Sequence, residues 1–542
     1  GDDSVWYLDG VNGSDSNDGR TRETAVKTFE KAWTLLEHCQ RQTIYICPAT
    51  YDVTWDGVIE FRNMKYTHFI GLGEEPTDVV FDLGGEHKNF LEGWYEGSTL
   101  ENLTVQNGSA DGFAAVLPWR GGMVSNCVFR SNSGGALQFN AFNTKVVDCV
   151  FEDNGSAMRN SNGGAVAYEW KDDASPAEEL AEITGCTFRR NKSGTSDADW
   201  ANATGGAVYF QFSTGLIVRD SLFEENEAQR NGGALQISEW HRQCDADYIF
   251  VVSNCVFVGN TAKQGAAINM GADERTRKEL EIYDCVFSNN VCTSWGAVNA
   301  PLKICRDSVF HGNSSERGAA YTYNFYSGTW SELPDGVTPP AGCGYFTTNL
   351  FVGCTFERNE STAEGGCVDW SYNNNLSFSN CTFRANVGPK TDVLTVRDHY
   401  YVGFDNCLFE DSAVTAQLVN WQNNVRDKLY FRNCTVRNNT YGESPMLGFD
   451  HADVFNCVFT NNVGAAPVLT VNGNNSATTN ILLNCLFADN RNSSTSTGSV
   501  STTCGSRTAP SPATDRRWSL MASAASPSTT RSPSATTLSS AT

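Results

Sequence analysis

The seven residues Asn126-Cys127-Val128-Phe129-Arg130-Ser131-Asn132 recur, with substitutions, thirteen times along the chain. Successive second positions, from Cys127 to Cys485, lie 22 to 46 residues apart. A unit of that size, repeated that often, restricts the chain to a solenoid or array. Phe holds the fourth position in all copies but one, where Val436 stands. The last position is Asn in all copies except at Ser412. The second position is always Cys or Ser. Cys and Phe are two apart, so on a strand they share a face. A small inward residue, a large inward ring and an Asn where the chain turns describe one rung of a stacked β-structure. Rings one strand spacing apart can offset-stack, and stacked amides can bond to one another up the axis. Asn also tolerates the left-handed backbone of a tight turn.

A second motif follows most copies: Gly134-Gly135-Ala136, Gly163-Gly164-Ala165, Gly205-Gly206-Ala207 and Gly232-Gly233-Ala234, with looser versions such as Gly365-Gly366-Cys367. It leads into an alternating strand. One face carries Leu137/Phe139, Val166/Tyr168, Val208/Phe210, Leu235/Ile237 and Ile268/Met270. The other carries Gln138, Tyr209, Gln236, Asn269, Asn299, Thr322 and Asp369. Period-2 alternation predicts one buried face and one wet face. A third short apolar run precedes each Cys, as in Leu216–Val218. Three short strands per turn, stacked coil on coil, predict an all-β fold, a right-handed parallel β-helix, over residues 61–492.

The paired motifs, Phe-x-x-Asn and Gly-Gly-Ala followed by an aliphatic, resemble the repeats of the polymorphic outer-membrane proteins over about residues 100–490. The resemblance implies a surface-displayed passenger linked to adhesion and followed by a membrane β-barrel. On that reading the protein sits outside the cell at a bacterial surface, associated with an outer membrane, with a glycan or cell-surface ligand. No barrel-like pattern follows here, which departs from the family.

A net charge of −23 argues against nucleic acid as partner. It suits a secreted protein kept soluble by surface acid. No apolar run reaches the roughly 18 residues that a membrane-spanning helix needs. Of the 19 cysteines, eleven occupy the repeat position. Stacked thiols one strand spacing apart are poorly placed for disulfides, and Ser221 and Ser308 replace two of them. The spacing therefore predicts reduced, packing cysteines, while the remaining set, Cys39 and Cys244 among them, leaves a bridge open.

Residues 1–60 are not a repeat. Val5–Leu8 reads as a strand. Thr28 can N-cap an amphipathic helix whose Phe29, Ala32, Trp33 and Leu36 share one face, a helix suited to closing the open end of a solenoid. This opening looks like that of many secreted β-helix proteins, including polysaccharide lyases and hydrolases. The acidic loop between strand and helix offers Asp9, Asp15, Asn17 and Asp18 either as calcium ligands or as turn-forming side chains. No other cofactor is evident. Residues 493–542 turn abruptly to Ser, Thr, Ala and Pro, as in a low-complexity stalk or a shifted reading frame.

For chemistry the chain offers little. Acid beside aromatic recurs as Glu169-Trp170, Glu239-Trp240 and Asp369-Trp370. Glu169, Glu239 and Asp369 are the candidate catalytic carboxylates of a lyase or glycosidase, and Trp170 and Trp240 are candidate sugar platforms. Asp398-His399 and Asp450-His451 lack any accompanying nucleophile. The expected wet row, led by Gln138, Tyr209, Gln236 and Asn269, is the candidate face for an extended glycan. Two functions stay open: a non-catalytic, adhesin-like binder, and a polysaccharide lyase or glycoside hydrolase. The long insertions 171–182, 194–204, 241–248, 271–280 and 325–348 are the loops expected to carry function.

Overall fold

The structure is a computed structural model that describes residues 4–53, 62–86, 90–94, 97–117, 122–139, 144–155, 162–169, 180–194, 203–212, 215–239, 249–271, 279–324, 349–371, 375–397, 401–414, 417–422, 429–449, 452–471, 481–492, 500–502 and 536–538. Most of each long insertion lies outside these residues, as do Asp398-His399 and Asp450-His451 and nearly all of the tail. The chain divides into two compact units, residues 1–278 and 279–542.

In the first unit each turn of chain lays down three strands that pair in parallel with the next turn. The coil Met123–Ser125, Val128–Arg130, Leu137–Phe139 stacks on Lys145–Val147, Val150–Glu152, Val166–Tyr168. Register places Val124 on Val146, Phe129 on Phe151 and Leu137 on Val166. The second unit repeats the plan. Its coil Asn375–Ser379, Thr382–Arg384, Thr391–Arg397 stacks on Tyr401–Asp405, Leu408–Glu410, Gln417–Gln422. Both are parallel β-helices of the right-handed kind that parallel crossovers favour. Some coils add a fourth short strand at the corner after the ladder Asn. These are Lys192–Ser193, Glu227–Ala228 and Thr261–Gln264 in the first unit. In the second they are Val291–Trp295, Ser314–Arg317 and Glu360–Glu364, then Ala413–Val414, Thr440–Tyr441, Val463–Gly464 and Arg491–Asn492.

The interior repeats the motif. Phe129, Phe151, Phe188, Phe223 and Phe257 stack face to face with centroids 5.2, 4.8, 4.8 and 4.7 Å apart. Each such pair adds about 1 kcal/mol beyond its burial. In the second unit Phe287, Phe310, Phe356, Phe383 and Phe409 do the same at 4.7, 4.9, 5.0 and 4.9 Å. The described cysteines are free thiols, and those of the repeat are buried apart from the half-buried Cys485. Cys127 donates to the Ser125 carbonyl at 3.2 Å, and burial pushes the Cys149 thiol well above its ordinary value. Ser221 fits the same place by accepting the Cys186 N–H at 3.1 Å and donating to the Arg219 carbonyl.

The repeat Asn is fully buried and uses all of its bonding capacity. Asn226 Nδ2 donates to the Phe188 carbonyl at 2.9 Å and to Asn260 Oδ1 at 3.0 Å. Its Oδ1 accepts both the backbone N–H and the Nδ2 of Asn191, at 3.0 and 2.9 Å. The left-handed turn expected of these Asn residues belongs instead to the residue before each of them. Ser131, Asp153, Arg190 and Glu225 have φ of 55°, 56°, 53° and 54°. The Asn itself points inward, because its amide is needed there.

The expected wet row is a second correction. Tyr209, Gln236, Asn269, Asn299, Thr322 and Asp369 are all under 9 % exposed, and only Gln138 is half-buried. The glycine turn folds back over them. A Cβ on Gly232 would stand 2.8 Å from the Gln236 Cβ, and one on Gly265 would stand 2.7 Å from the Asn269 Cβ. The Gly at this place lets the turn lie on the strand that follows it. Strand alternation alone does not show this lid.

At the N-terminus, Ser4–Leu8 pairs with Gln42–Ile46, so the opening strand is already a rung of the stack. Thr28 caps the helix Phe29–Leu35 by accepting the Lys31 N–H at 3.2 Å. The Phe29 ring lies 5.1 and 5.0 Å from those of Phe81 and Phe90. Near residue 500 the stack continues past the compositional break, since Val500–Thr502 pairs with Leu469–Val471.

On the outer face of the phenylalanine strands, charges alternate up the axis. Arg189 Nε lies 2.5 Å from Glu224. In the second unit Glu410, its side chain 5 % exposed, is gripped by Arg384 and Arg437 at 2.5 and 2.6 Å. Burial alone would raise the Glu410 carboxyl, but the two guanidiniums outweigh it and hold the group below its ordinary value.

Two predictions follow from this packing. Asn226→Ala removes four buried bonds and strands the donors and acceptors of two neighbouring coils, so it should cost about 3 kcal/mol or more. Urea unfolding checks this, with Ser131→Ala near-neutral as the control. Glu410→Gln should cost about 1–3 kcal/mol at neutral pH, since the half-exposed arginines are partly screened. Because the depressed carboxyl stabilises above its unfolded value, the difference from wild type should shrink as pH falls through the acid range.

Candidate functional site

Glu169 follows the strand Val166–Tyr168, and its Oε2 accepts from Gln138 Nε2 at 2.7 Å. Glu239 ends the strand Leu235–Glu239, and its side chain lies outside the described residues. The register pairs Tyr168 with Phe210 and Phe212 with Glu239. Glu169 therefore continues the column of Gln211 and Ser238, one residue out of step with Glu239. Asp369 is buried beneath Gly365, whose Cβ would stand 2.9 Å from the Asp369 Cβ. Glu169 and Glu239 thus stand at different positions along their strands, and Asp369 belongs to the second unit. Trp170 and Trp240 fall outside the described residues.

Gln236 and Asn269 do bond to each other, Asn269 Nδ2 donating to Gln236 Oε1 at 2.9 Å, but beneath the turns rather than on an open face. In the acidic loop, Asp9 Oδ1 accepts the N–H groups of Val11 and Asn12 at 3.0 and 2.9 Å. Asp15 accepts those of Lys27 and Thr28, both at 2.9 Å, and Asp18 that of Arg20 at 3.1 Å. Asn17 donates to the Ala25 carbonyl at 3.0 Å. Burial would raise the Asp15 carboxyl, yet the bonds from Thr28 and Lys27 outweigh it and hold the carboxyl below its ordinary value. These side chains tie the loop together. Among the described residues no three His, Cys, Asp or Glu side chains converge as a metal ligand set.

An open feature among the described residues lies at another corner. A groove of about 590 Å³ in the first unit is lined by Ser131, Ser133, Asp153, Arg190, Lys192, Glu225, Glu227, Gly259 and Thr261. These come in two columns, the left-handed residue before each ladder Asn and the residue after it. Five coils contribute, so the groove spans roughly 19 Å along the axis at one strand spacing per coil. Arg190 lies at its centre. Its Nε and Nη2 donate to the two Asp153 carboxylate oxygens at 2.8 and 2.9 Å, and Nη2 also meets Glu152. Asp153 first and Glu152 second raise the guanidinium further above its ordinary value, so it is held charged. Lys192 pairs with Glu227 at 2.8 Å. The result is a solvent-open trough of carboxylate acceptors, cationic donors and hydroxyls at fixed spacing.

One column of the groove is the second x of Phe-x-x-Asn, and the other is the residue after the Asn. One signal for them was present. The left-handed position favours Gly, Asn or Asp, and a bulky charged side chain there is an outlier that marks sites of interest. Arg190 and Glu225 are such outliers, although Arg358 in the second unit is another.

No known protein-family profile matches the chain, and no curated protein sequence matches it. Among solved structures it is similar to a rhamnogalacturonan lyase, at 11 % identity and a TM-score of 0.34, covering 60 % of this chain and 84 % of that one. It is also similar to the A-module of a mannuronan C-5 epimerase of Azotobacter vinelandii, at 12 % identity and a TM-score of 0.29, covering 85 % and 96 %. A third is a surface adhesin of Streptococcus pneumoniae, at 10 % identity and a TM-score of 0.22, covering 88 % and 86 %. At such values the likeness is to the β-helical stack and carries no argument about activity.

Proposed function

We propose that this is an extracellular glycan-binding β-helix that holds an extended, uncharged polysaccharide along the corner groove of its first unit without cleaving it. The observation that carries the reading is the groove itself: five successive coils each offer a polar or charged side chain, or the bare backbone of Gly259, to one axial trough. A polymer of hydroxyl-rich units fits such a rail. Carboxylates accept from sugar hydroxyls, and guanidinium, ammonium and Ser or Thr hydroxyls donate to them. Long concave surfaces are the usual binding device of solenoids. The charge balance favours a neutral chain, because Asp153, Glu225 and Glu227 outnumber Arg190 and Lys192 and the whole protein carries −23. A polyanion would meet carboxylates beside each cation.

Binding suits the geometry better than turnover. Arg190 and Lys192 are both engaged by carboxylates, and Arg190 is held charged, whereas a general base needs a side chain that gives and takes a proton near working pH. Display at a bacterial surface accords with this reading, as does the resemblance to outer-membrane passengers.

Arg190→Asn keeps a residue that tolerates the left-handed turn while removing the guanidinium. Combined with Lys192→Ala, it should weaken retention on immobilised neutral polysaccharides at least 10-fold with little change in urea midpoint. Affinity electrophoresis across neutral and acidic glycans, with and without calcium, measures it. Unchanged retention would remove the groove from the binding site. Release of new chain ends from any of the polymers would replace the binder with a lyase or hydrolase.

A further inference from the structure

In the second unit one coil closes its turn with an acid where its neighbour has glycine. Val368 pairs with Leu394 and Asp369 with Thr395, which aligns Asp392 with Gly366, the second glycine of Gly-Gly-Cys. The two backbones are in close contact. Cys367 N–H donates to the Asp392 carbonyl at 3.1 Å, and Gly366 N–H to that of Thr391 at 2.6 Å. A Cβ on Gly366 would lie 2.0 Å from the Asp392 carbonyl oxygen. The Asp392 side chain is itself fully buried. Its Oδ1 accepts the Gly388 N–H at 3.1 Å, and its Oδ2 has no hydrogen-bond partner among the described residues.

The turn also lies at a break in the solenoid. The corner strands Val291–Trp295, Ser314–Arg317 and Glu360–Glu364 pair in succession up to this coil, each pair with a register shift of its own. Beyond them the corner keeps, among the described residues, a single bridge, Glu360 to Val387, just before the turn. The strand after it, Thr391–Arg397, slips register against Gln417–Gln422 between Thr391 and Leu394. Corner pairing resumes between Ala413–Val414 and Thr440–Tyr441.

We propose that Asp392 is a proton-controlled latch at this break: as a neutral acid it keeps the Gly388–Asp392 turn shut against Gly366-Cys367, and on losing its proton it releases the turn. A buried carboxylate with one unpartnered oxygen is costly, whereas the neutral acid is much less so. Among the titratable groups packed nearby, Cys367 is a buried thiol that burial and then Asp392 push up, so it stays neutral. Lys390 and Glu360 are exposed, and Asp369 lies on the neighbouring strand beneath its own glycine turn. Gln417, on the next coil, is uncharged. Burial accordingly pushes the Asp392 carboxyl from 3.8 up to about 8. Between those values the folded chain binds the extra proton, so stability falls as pH rises and levels off above about 8. The sign is opposite to that of Glu410.

The test compares the full chain with Asp392→Asn and with Asp392→Gly, which restores the glycine of the motif. Amide exchange by mass spectrometry, corrected for intrinsic rates, is read on peptides covering 361–368 and 386–393 from pH 5 to 9. In wild type the opening equilibrium of these peptides should rise with pH, by up to ~10-fold per unit for one proton, and stop rising above about 8. Both variants should show a flat profile. Wild-type protection independent of pH, or the same pH slope in both variants, would overturn the proposal. Should one variant fold poorly, the other and the wild-type profile still decide it.

Discussion

Everything in this fold depends on the buried amide. A fully enclosed Asn side chain carries two donors and an acceptor with room for two bonds, and each lacks water to fall back on. Within each stack it is satisfied only when the next coil presents the same residue at the same depth and angle. Rings are more forgiving, because an offset stack tolerates small slides, and thiols hardly constrain direction at all. The Asn ladder therefore sets register, while phenylalanine and cysteine fill the volume that register leaves. The second unit shows what happens where the ladder lapses. Ser412 can still accept order from above, its N–H donating to Asn439 Oδ1 at 3.0 Å, but it offers no amide to Asn386. In the next coil Val436 replaces the ring. A second aromatic column takes up the load there, with Phe431 approaching Phe409 at 5.3 Å.

The same constraint explains which parts of the structure were legible in the sequence. Inward positions must be nearly identical from coil to coil, so they print a period that a single sequence reveals. Cys127, Phe129 and Asn132 were assigned inward on that ground, and they are inward. The row from Gln138 to Asp369 was misassigned because strand alternation separates two faces without saying what covers the second. For Gln236, Asn269, Thr322 and Asp369 the cover was written in the chain all the same, four residues upstream, as the glycine that has to clear the side chain. Corner residues such as Arg190 and Glu225 were passed over for a related reason. Their neighbourhood is formed by a left-handed turn, and side-chain periodicity carries no sign of where such a turn points.

This division of labour has a consequence for function. A solenoid whose interior is fixed can vary only outside, and it varies there in columns, one residue per coil. A site built from such columns is a rail rather than a cavity, and it suits a ligand with a repeat of its own. In the first unit the rail sets acid beside base, so Asp153, Arg190, Lys192 and Glu227 are each partly neutralised before a ligand arrives. Such pairs hold their long side chains in place. A hydroxyl that enters can then share a carboxylate or a guanidinium with little ordering left to do, which lowers the cost of binding. The pairing that makes Arg190 a poor proton carrier makes it a good fixed donor.

Two of the buried acids of the second unit show how narrowly the fold controls charge. Glu410 and Asp392 belong to adjacent coils and are both hidden from water. Glu410 faces outward between two guanidiniums, so the protein keeps it ionised and gains from it. Asp392 faces a turn lined by backbone and a thiol, and the only way to hold it is as the neutral acid. A rise in pH leaves the first ion pair intact while charging the second site, and acid does the reverse. The position of each carboxyl relative to the stack, and not its burial alone, decides which direction of pH loosens that coil.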